Sequence, residues 1–355
     1  MSAQKVVVVG GGIVGCITAM MLRQRGWQVT VVERNIIAAQ TSGEASWAGA
    51  GIIFPLLPWC YQDPVNKLAL EGASRYPGLA EQLHSETGID PECLRSGMLV
   101  QPPFDLETAL AWCKRNNVVA KLQGEELFLP DVLQVRNPRL LQALKAWLEQ
   151  HQVTLKEQTQ LLPLPELEIG EQGMLKGWQT TNGETLEADM FIVTSGAWSF
   201  DLLKQTALSL EIKPMRGQML LYQLPKPITN HIIYRDGFYM VPRKDGYLLA
   251  GSSLEDVGFD TGVTDTMRTE MQTKAEAILP QLKNASVIKH WSGLRPGTPH
   301  NIPTIGQHPH ISNLYLNTGH FRYGVTMAPA SAALVTALMC GGSPNMDATA
   351  YQCKV

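Results

Sequence analysis

A glycine cluster near the start of the chain has the spacing of a dinucleotide-binding turn. Four valines at residues 6–9 lead directly into the run Gly-Gly-Gly-Ile-Val-Gly at residues 10–15. In such a turn Gly10 permits the sharp bend, Gly12 lets backbone amides approach a pyrophosphate, and Gly15 lets the following helix pack closely on the sheet. The phosphates would lie at the helix N-terminus, where unpaired N–H groups and the helix dipole favour anions. The spacing therefore predicts a site for an ADP-containing dinucleotide.

An acidic residue completes this pattern. Residues 28–32 predict a second strand, and Glu33 follows at close to the expected distance from Gly15, where it would accept hydrogen bonds from the adenosine ribose. Because a carboxylate there disfavours a 2′-phosphate, FAD or NAD fits better than NADP, although Arg34 tempers that preference. A glycine-rich turn that binds no ligand is the alternative interpretation of this segment.

Length and composition indicate a globular protein of two domains. The chain has 355 residues, 45% of them hydrophobic and 17% charged, which is enough to bury a large core. The formal net charge is −3 and there are no basic blocks, so nothing in the charge favours binding to nucleic acid. The six cysteines lack CxxC spacing and the eight histidines form no metal-binding motif. We therefore expect reduced thiols, a cytoplasmic protein and no metal.

One apolar segment resembles a signal peptide. Residues 6–22 carry no charge and follow Lys5. The glycines in the middle of the segment would interrupt a continuous helix, and a strand–helix–strand unit also accounts for Glu33. We therefore expect neither secretion nor a membrane span here.

The elements that would position these residues follow from the hydrophobic pattern. Its periodicity predicts helices over 68–87 (interrupted near Pro77), 106–116, 139–151 and 265–279. Alternation and turn residues predict a hairpin about 181–183, a buried strand over 189–195, and β-like runs over 213–224, 232–242 and 246–252. The chain then continues as a strand over 314–317, a glycine turn over 319–324 and an Ala-rich helix to Cys340, too short and proline-interrupted to span a membrane comfortably.

Two later glycine turns favour FAD over NAD, and an earlier run of small residues suits a bulky flat ligand. The small residues 41–52 would permit close approach of a bulky flat ligand, or else form a flexible loop; the apolar continuation at 52–55 favours burial. The turn at 194–199 ends a buried strand, and the turn at 319–324 precedes a helix N-terminus. Such an N-terminus beside the N1–C2=O edge of a flavin would stabilise the negative charge that develops there on reduction.

These motifs, in this order, resemble the glycine oxidase/D-amino acid oxidase (DAO) family nearly from end to end. The specific segments are Gly-Leu-Arg-Pro-Gly-Thr at 293–298 and Gly-His-Phe-Arg at 319–322. Within the family, the chain resembles especially the bacterial glycine oxidases associated with thiamine biosynthesis. The resemblance implies an α/β fold with an α+β second domain. A Rossmann-type, glutathione-reductase-like FAD domain would comprise 1–85, 136–205 and 296–355, and a substrate domain with a mixed β-sheet would comprise 86–135 and 206–295.

By position, the resemblance implies that FAD contacts residues from across the chain. They are Gly10, Gly12, Ile13, Val14, Gly15, Glu33, Arg34, Ala45, Ser46, Ala50, Gly51, Ile52, Leu161, Gly196, Trp198, His320, Phe321, Arg322, Tyr323, Gly324, Val325 and Thr326. Relatives that tether FAD do so through a C-terminal cysteine, and this chain has none between Cys113 and Cys340. We therefore expect non-covalent FAD.

The resemblance also implies a substrate site. Arg295 matches the carboxylate-binding arginine, Tyr239 matches the active-site tyrosine, Arg322 lies near the substrate and Tyr234 lies near the pocket entrance. Chemistry supports Arg295 independently, because a guanidinium binds a carboxylate through two parallel charge-assisted hydrogen bonds. Without the resemblance, Arg295 would be interpreted as a surface arginine in a turn, Tyr239 as a core aromatic and Arg322 as the partner of a neighbouring acid.

Two substitutions leave the preferred substrate open. Ile52 and Leu254 stand where the type glycine oxidase carries methionines. Both are apolar and similar in volume, so we expect the pocket to stay closed to large side chains. The β-branched Ile52 is stiffer than methionine. The sequence therefore leaves open the choice among glycine, sarcosine and small D-amino acids.

The implied activity is FAD-dependent oxidative deamination of small amino acids. Hydride would pass from Cα to flavin N5, and hydrolysis of the imine would give an α-keto acid (glyoxylate from glycine) with ammonia or an amine, while O2 becomes H2O2. The family also suggests a homo-oligomer, a tetramer by analogy, and a role in making the thiazole of thiamine. Two alternatives stay open: a D-amino acid dehydrogenase of the same fold that passes electrons to a quinone, and a non-amine FAD-binding protein.

Overall fold

The computed structural model describes residues 3–39, 43–165 and 173–353. The helices are α1 Ile13–Gln24, α2 Ala45–Ala48, α3 Asp63–Thr87, α4 Leu106–Arg115, α5 Asn137–Gln150, α6 Ser199–Leu203, α7 Asp265–Ile278 and α8 Gly324–Met339. The strands are β1 Lys5–Val9, β2 Gln28–Val32, β3 Ile52–Ile53, β4 Leu94–Arg95, β5 Met98–Gln101, β6 Lys121–Gln123, β7 Glu126–Leu129, β8 Leu133–Gln134, β9 Thr154–Lys156, β10 Gly177–Gln179, β11 Thr185–Glu187, β12 Met190–Val193, β13 Lys213–Gln223, β14 Ile232–Arg235, β15 Phe238–Pro242, β16 Tyr247–Gly251, β17 Val287–Gly297, β18 Thr304–Gln307 and β19 Leu314–Thr318.

The first large sheet is mostly parallel and has the strand order β18-β19-β12-β1-β2-β9. Strand β1 lies between β2 and β12 and runs parallel to both. Its valines are buried, as expected for a central parallel strand covered on both faces. The carboxyl ends of these strands meet at one edge, so Gly10, Glu33, Thr194 and Thr318 are brought to the same end of the sheet. Ligands bind at such an edge in open α/β sheets.

The second large sheet is mostly antiparallel and has the order β17-β13-β16-β15-β14-β5-β7-β6. Strands β13 and β17, eleven residues each, pair antiparallel along their length, which places Arg295 opposite Met215. Strand β16 pairs with the opposite edge of β13. β13 therefore separates β17 from β16 and from the segment that follows β16.

Helices cover the first sheet and share its core. The largest hydrophobic cluster joins residues of β1, α1, α3, α5 and α8. Helix α8 is buried along most of its length, and the Tyr76 hydroxyl of α3 donates to the Val325 carbonyl at 2.5 Å. This packing fixes the N-terminal end of α8 beside the carboxyl edge of the sheet.

The expected α/β fold is confirmed, with three local differences. Helix α3 starts at Asp63 and continues through Pro77 without a break. The run 232–242 is two strands, β14 and β15, joined by a turn at Asp236–Gly237. Arg295 lies within strand β17 instead of a turn. Packing accounts for the first difference, because Tyr76 and Ala80 of α3 are buried.

The two sheets draw their strands from different parts of the sequence. The division into two domains at the boundaries given above stays a prediction. In the small-residue run 41–52, Thr41 and Ser42 lie outside the described residues. Within the part of the chain that the structure describes, no helix is both long enough and apolar enough to cross a membrane.

Candidate active site

A cavity of about 640 Å³ extends from the glycine turn after β1 to strands β15 and β17. Its wall includes most of the residues expected to hold FAD: Gly10, Gly12, Ile13, Val14, Glu33, Arg34, Ala45, Ser46, Ala50, Gly51, Ile52, Leu161, Gly196, Trp198 and each residue from His320 to Thr326. Arg295, Tyr239 and Leu254 line the same cavity. The structure thus brings the expected dinucleotide and substrate residues to one space.

The glycine turn is shaped by close contacts at two positions. Gly10 has a φ of +114°, and a Cβ there would lie 2.9 Å from the Thr194 carbonyl carbon. A Cβ on Gly15 would lie 1.9 Å from the Gly10 carbonyl oxygen, so this glycine serves the packing of α1 on the turn and does not line the cavity. The Ser46 hydroxyl accepts a hydrogen bond from the Ile13 N–H at 3.0 Å. Ser46 thus brings a polar side chain to the helix N-terminus where a pyrophosphate would lie.

Glu33 is held by backbone donors. Its Oε2 accepts from the Gly11 N–H at 2.8 Å, and its Oε1 accepts from the Asn35 N–H at 2.9 Å. Burial raises the pKa of Glu33 above its ordinary value, although both N–H groups act in the opposite direction. Each carboxylate oxygen accepts more than one hydrogen bond. The carboxylate is therefore fixed in the cavity wall with capacity left for ribose hydroxyls.

An aromatic and cationic stack forms another part of the wall. The Arg34 guanidinium carbon lies 3.7 Å from the centroid of the Trp198 ring. Trp198 also stacks on Phe259, with ring centroids 5.5 Å apart. Stacking on an aromatic face suits the planar guanidinium and holds Arg34 beside the acidic Glu33.

The segment before α8 presents a neutral histidine. His320 is 2% exposed and lines the cavity, and its Nε2 has no hydrogen-bond partner among the described residues. Burial lowers the pKa of His320 to about 3, so the ring is uncharged at neutral pH. A buried polar atom without a partner is costly unless a ligand supplies one. His320 therefore fits a site that receives a large polar cofactor.

Hydrogen bonds fix this segment relative to β3. The Thr326 hydroxyl donates to the Ile52 carbonyl at 3.0 Å, and the Tyr323 hydroxyl donates to the Leu56 carbonyl at 3.2 Å. Since Ile52 and Thr326 both line the cavity, the bond joins two parts of its wall that are distant in sequence.

Arg243 anchors the same region and was assigned no role from the sequence. It is 5% exposed, and it donates to the Ala50 carbonyl at 2.8 Å, the Val135 carbonyl at 3.1 Å and Gln134 Oε1 at 2.6 Å. Burial is the main reason that the pKa of Arg243 falls to about 10. In the sequence, Arg243 is part of the segment Val-Pro-Arg-Lys at 241–244, which by itself indicates no partner. The residues that Arg243 contacts lie far away along the chain.

Arg295 is the cation at the other end of the cavity. Its Nη2 donates to Ser252 Oγ at 2.8 Å and its Nη1 donates to the Ser253 carbonyl at 3.2 Å. Burial lowers the pKa of Arg295; the Tyr239 hydroxyl acts in the opposite direction, and the charge of Arg322 lowers it further. None of the acidic side chains in the described ranges forms an ion pair with Arg295. An enclosed guanidinium without an anionic partner is suited to bind a carboxylate.

The remaining expected residues differ in their placement. Tyr239 is 8% exposed, and its hydroxyl lies 3.6 Å from Met219 Sδ. Arg322 is exposed, with its guanidinium carbon 5.7 Å from the Phe321 ring centroid, and Leu254 is 44% exposed. Tyr234 packs in the core on β14 and does not line the cavity; its hydroxyl accepts from the Gly237 N–H at 3.1 Å. The expected place of Tyr234 near the pocket entrance stays a prediction.

Comparison with known proteins shows relatives over nearly the whole chain. The family model described as DAO, FAD dependent oxidoreductase, matches residues 5–338. Glycine oxidase of Pseudomonas putida is 37% identical, and the match covers 98% of each chain. The bifunctional protein ThiO/ThiG of Trichormus variabilis is 29% identical over 93% of this chain and 52% of its own length. The crystal structure of glycine oxidase from Geobacillus kaustophilus superposes with a TM-score of 0.89 at 25% identity, covering 99% of each chain.

Proposed function

This chain belongs to the DAO family of FAD-dependent oxidoreductases, and we propose from that membership that it catalyses the oxidative deamination of glycine and other small amino acids. The products are an α-keto acid, ammonia or an amine, and hydrogen peroxide. Arg295 is the observation that carries the assignment. Its guanidinium lies in the cavity that the dinucleotide-binding turn also lines, and it forms no ion pair with an acidic side chain of the described residues.

The residues of the cavity wall fit FAD. The glycine turn and the N-terminus of α1 would receive the pyrophosphate, Glu33 the ribose, and the segment from His320 to Thr326 the flavin. The unpartnered Nε2 of His320 supports a polar ligand at the flavin end. When bound, FAD supplies the acceptor for a hydride from the substrate α-carbon. Because none of the wall residues named here is a cysteine, we propose that the cofactor is held without a covalent bond.

Arg295 orients the substrate. A carboxylate that accepts two parallel hydrogen bonds from the guanidinium is fixed in position and in plane. Because the α-carbon is bonded to this carboxylate, its position is restricted as well. The Tyr239 side chain lies beside this guanidinium, where its hydroxyl would help to align the carboxylate. The positive charge of Arg295 also disfavours an ammonium group nearby, which favours the neutral-amine form of the substrate, the form whose α-carbon gives up a hydride. Positioning is thus the main contribution of these residues to the reaction.

The apolar part of the pocket restricts the side chain of the substrate. Ile52 and Leu254 line the cavity, and Ile52 is further fixed because its carbonyl accepts from Thr326. A polar or long side chain would lose hydration against these residues without gaining a partner. This supports glycine, sarcosine and small D-amino acids as the substrate class.

Anaerobic titration of the purified, FAD-loaded protein tests this function. We expect a yellow protein whose visible flavin absorbance is bleached by glycine, sarcosine or D-alanine and returns when air is admitted, with one H2O2 formed per substrate. Bleaching with slow reoxidation in air would favour a dehydrogenase that passes electrons to a quinone. If none of the small amino acids bleaches the flavin, the assignment to amino acid oxidation is wrong.

The location, the oligomeric state and the biosynthetic role of the protein are also proposals. We propose a cytoplasmic location, which is supported by six free cysteines, all within the described residues. We also propose a homo-oligomer, and a tetramer by analogy with the family, which light scattering of the purified protein would test. A role in thiamine biosynthesis is supported by the match to ThiO/ThiG, of which this chain spans about half.

A further inference from the structure

The Arg295 guanidinium extends across a neighbouring strand to reach its hydrogen-bond acceptors. Arg295 lies on β17, whereas Ser252 and Ser253 follow β16 on the opposite side of β13. The guanidinium passes over Gly217 of β13, where a Cβ would come within 2.0 Å of Nη1. The geometry of the carboxylate-binding group therefore depends on where the segment after β16 is held.

Backbone hydrogen bonds attach that segment to β13. The Gln218 N–H donates to Ser253 Oγ at 2.8 Å, and the Ser253 N–H donates to the Gln218 carbonyl at 3.3 Å. Arg216 and Glu255 exchange two backbone hydrogen bonds, each 2.9 Å long. Residues 253–255 thus continue the sheet beside β13, and Leu254 at the cavity wall lies between two attached residues.

The Glu255 carboxylate joins the side chains around this attachment. It accepts hydrogen bonds from Arg216 Nη2 at 2.7 Å, Ser253 Oγ at 2.6 Å and Gln218 Nε2 at 3.0 Å. The Arg216 side chain is 4% exposed and that of Glu255 is 17% exposed. Burial pushes the pKa of Glu255 upward, but these hydrogen bonds outweigh it and lower the pKa below its ordinary value. The carboxylate is therefore charged and fixed at neutral pH.

The two arginines lie on opposite faces of β13. Side chains alternate along a strand, so Arg216 and Gln218 project from the face opposite to the one that Gly217 turns toward Arg295. Ser253 connects the faces, because its hydroxyl donates to Glu255 and its carbonyl accepts from Arg295. Ser253 therefore links Glu255 to the guanidinium, and Glu255 itself does not line the cavity.

We propose that Glu255, paired with the buried Arg216, is a positioning residue that sets the affinity of the site for a substrate carboxylate by holding Ser253 beneath Arg295. This inference rests on the proposed function, because it assumes that Arg295 binds the carboxylate. It assigns substrate affinity to an ion pair whose two residues do not themselves line the cavity. Loss of the carboxylate would free Ser253 and let the guanidinium leave its orientation, while the residues of the dinucleotide turn stay in place.

The test compares Glu255→Ala with two other variants of the FAD-loaded protein. Ser253→Ala removes the hydroxyl that joins Ser253 to Glu255 and keeps the Arg216–Glu255 pair. It therefore tests the same link if Glu255→Ala does not fold. Asp260→Asn is the matched control: Asp260 also binds Arg216, at 2.6 Å, but its side chain is 60% exposed and it forms no hydrogen bond with Ser253. Acetate, a carboxylate that carries no amine to oxidise, is titrated against the flavin absorbance of each protein.

We expect Glu255→Ala and Ser253→Ala to raise the Kd for acetate and the KM for glycine about tenfold, with kcat at saturating glycine within about threefold of wild type. Glu255→Gln retains an acceptor for Ser253 and should lose less. Asp260→Asn should bind acetate as wild type does. A purely structural role would instead lower kcat, FAD content and melting temperature together, without separating KM from kcat.

The outcomes distinguish this proposal from the proposed function. Wild-type acetate affinity in Glu255→Ala, while Arg295→Met loses acetate binding, would overturn the positioning role and leave the function intact. A wild-type protein that binds acetate but is not bleached by glycine would overturn the function, and the same Kd comparison would still decide the role of Glu255.

Discussion

The Arg295 guanidinium lies directly over the backbone of Gly217. The guanidinium lies where a side chain at residue 217 would project, with Nη1 only 2.0 Å from the position of a Cβ on Gly217. The backbone of Gly217 is part of an ordinary strand, so the absence of a side chain, not a special conformation, is what this position requires.

Gly217→Ala should therefore displace the guanidinium without unfolding the sheet. We expect the KM for glycine to rise at least about tenfold, because a charge-assisted hydrogen bond of ~2 kcal/mol is lost or distorted. Steady-state kinetics at varied glycine concentration would measure it. Gly78→Ala is the matched control: Gly78 lies in α3 with open space around its Cβ position, so activity should be unchanged. Normal KM in Gly217→Ala would contradict the observed contact.

Arg295→Ala should weaken substrate binding and leave the cofactor in place. Removing a charge-assisted anchor is expected to cost ~2–4 kcal/mol, about 30- to 1,000-fold in kcat/KM for glycine. The visible spectrum should remain that of a flavoprotein, since the glycine turn and the segment from His320 to Thr326 are untouched. Near-normal turnover at low glycine concentration would show that another group binds the carboxylate.

Arg243→Met should destabilise the protein and weaken its hold on FAD. The substitution leaves the Ala50 and Val135 carbonyls and the Gln134 side chain without their buried donor. We expect a loss of at least ~3 kcal/mol in the free energy of unfolding, because each of these three buried acceptors costs ~1–3 kcal/mol when it has no partner. Urea unfolding would measure the stability of the protein, and filtration followed by flavin fluorescence of the filtrate would measure the release of FAD. Arg243→Lys should recover part of the loss, because an ammonium restores the charge but not the planar fork.

Acid should destabilise the apoprotein through two buried histidines. Burial lowers the pKa of His308 to about 4, with the charge of His310 as a second cause, and burial lowers that of His320 to about 3. An unfolded histidine takes up its proton near pH 6.5, whereas the folded ones stay neutral until much lower pH. As pH falls from about 6.5 to 4, the unfolded state therefore binds more protons and the free energy of unfolding decreases.

The measurement is urea unfolding of the apoprotein between pH 7 and pH 4.5. Each histidine adds up to one proton to the slope, which is ~1.4 kcal/mol per pH unit at 25 °C. His308→Asn retains a side-chain acceptor for the backbone N–H groups of His310 and Ile311, which now donate to His308 Nδ1 at 3.1 and 3.2 Å. Its slope should be smaller by up to one proton, and an unchanged slope would show that His308 does not contribute.

The local parts of the site were predictable from the sequence, because each is encoded by adjacent residues. The turn from Gly10 to Gly15 and the acid after β2 need only one strand–helix–strand unit to be recognised. The turn lines the cavity except at Gly11 and Gly15, and Glu33 lines it as well; their contact with FAD stays a prediction. The fold class followed from the same unit and from the family motifs, and the comparisons confirm it.

Contacts between distant segments were not predictable in this way. The sequence does not show that Gly217 makes room for Arg295, because β13 and β17 meet only in the folded sheet. The anchoring role of Arg243 likewise depends on residues near 50 and 135. Pro77 illustrates a local rule overridden by packing: proline disfavours a helix interior, but burial of α3 against α8 keeps the helix continuous.

The position of β1 within its sheet bears on how the protein acquires its cofactor during synthesis. Strand β1 is made before its neighbour β12 and before β19, both of which lie much later along the chain. The cavity is closed by the start of α8, later still. A growing polypeptide therefore carries the phosphate-binding turn before the walls needed to retain FAD have been made. The complete cavity requires the segment that contains the start of α8 to have been synthesised.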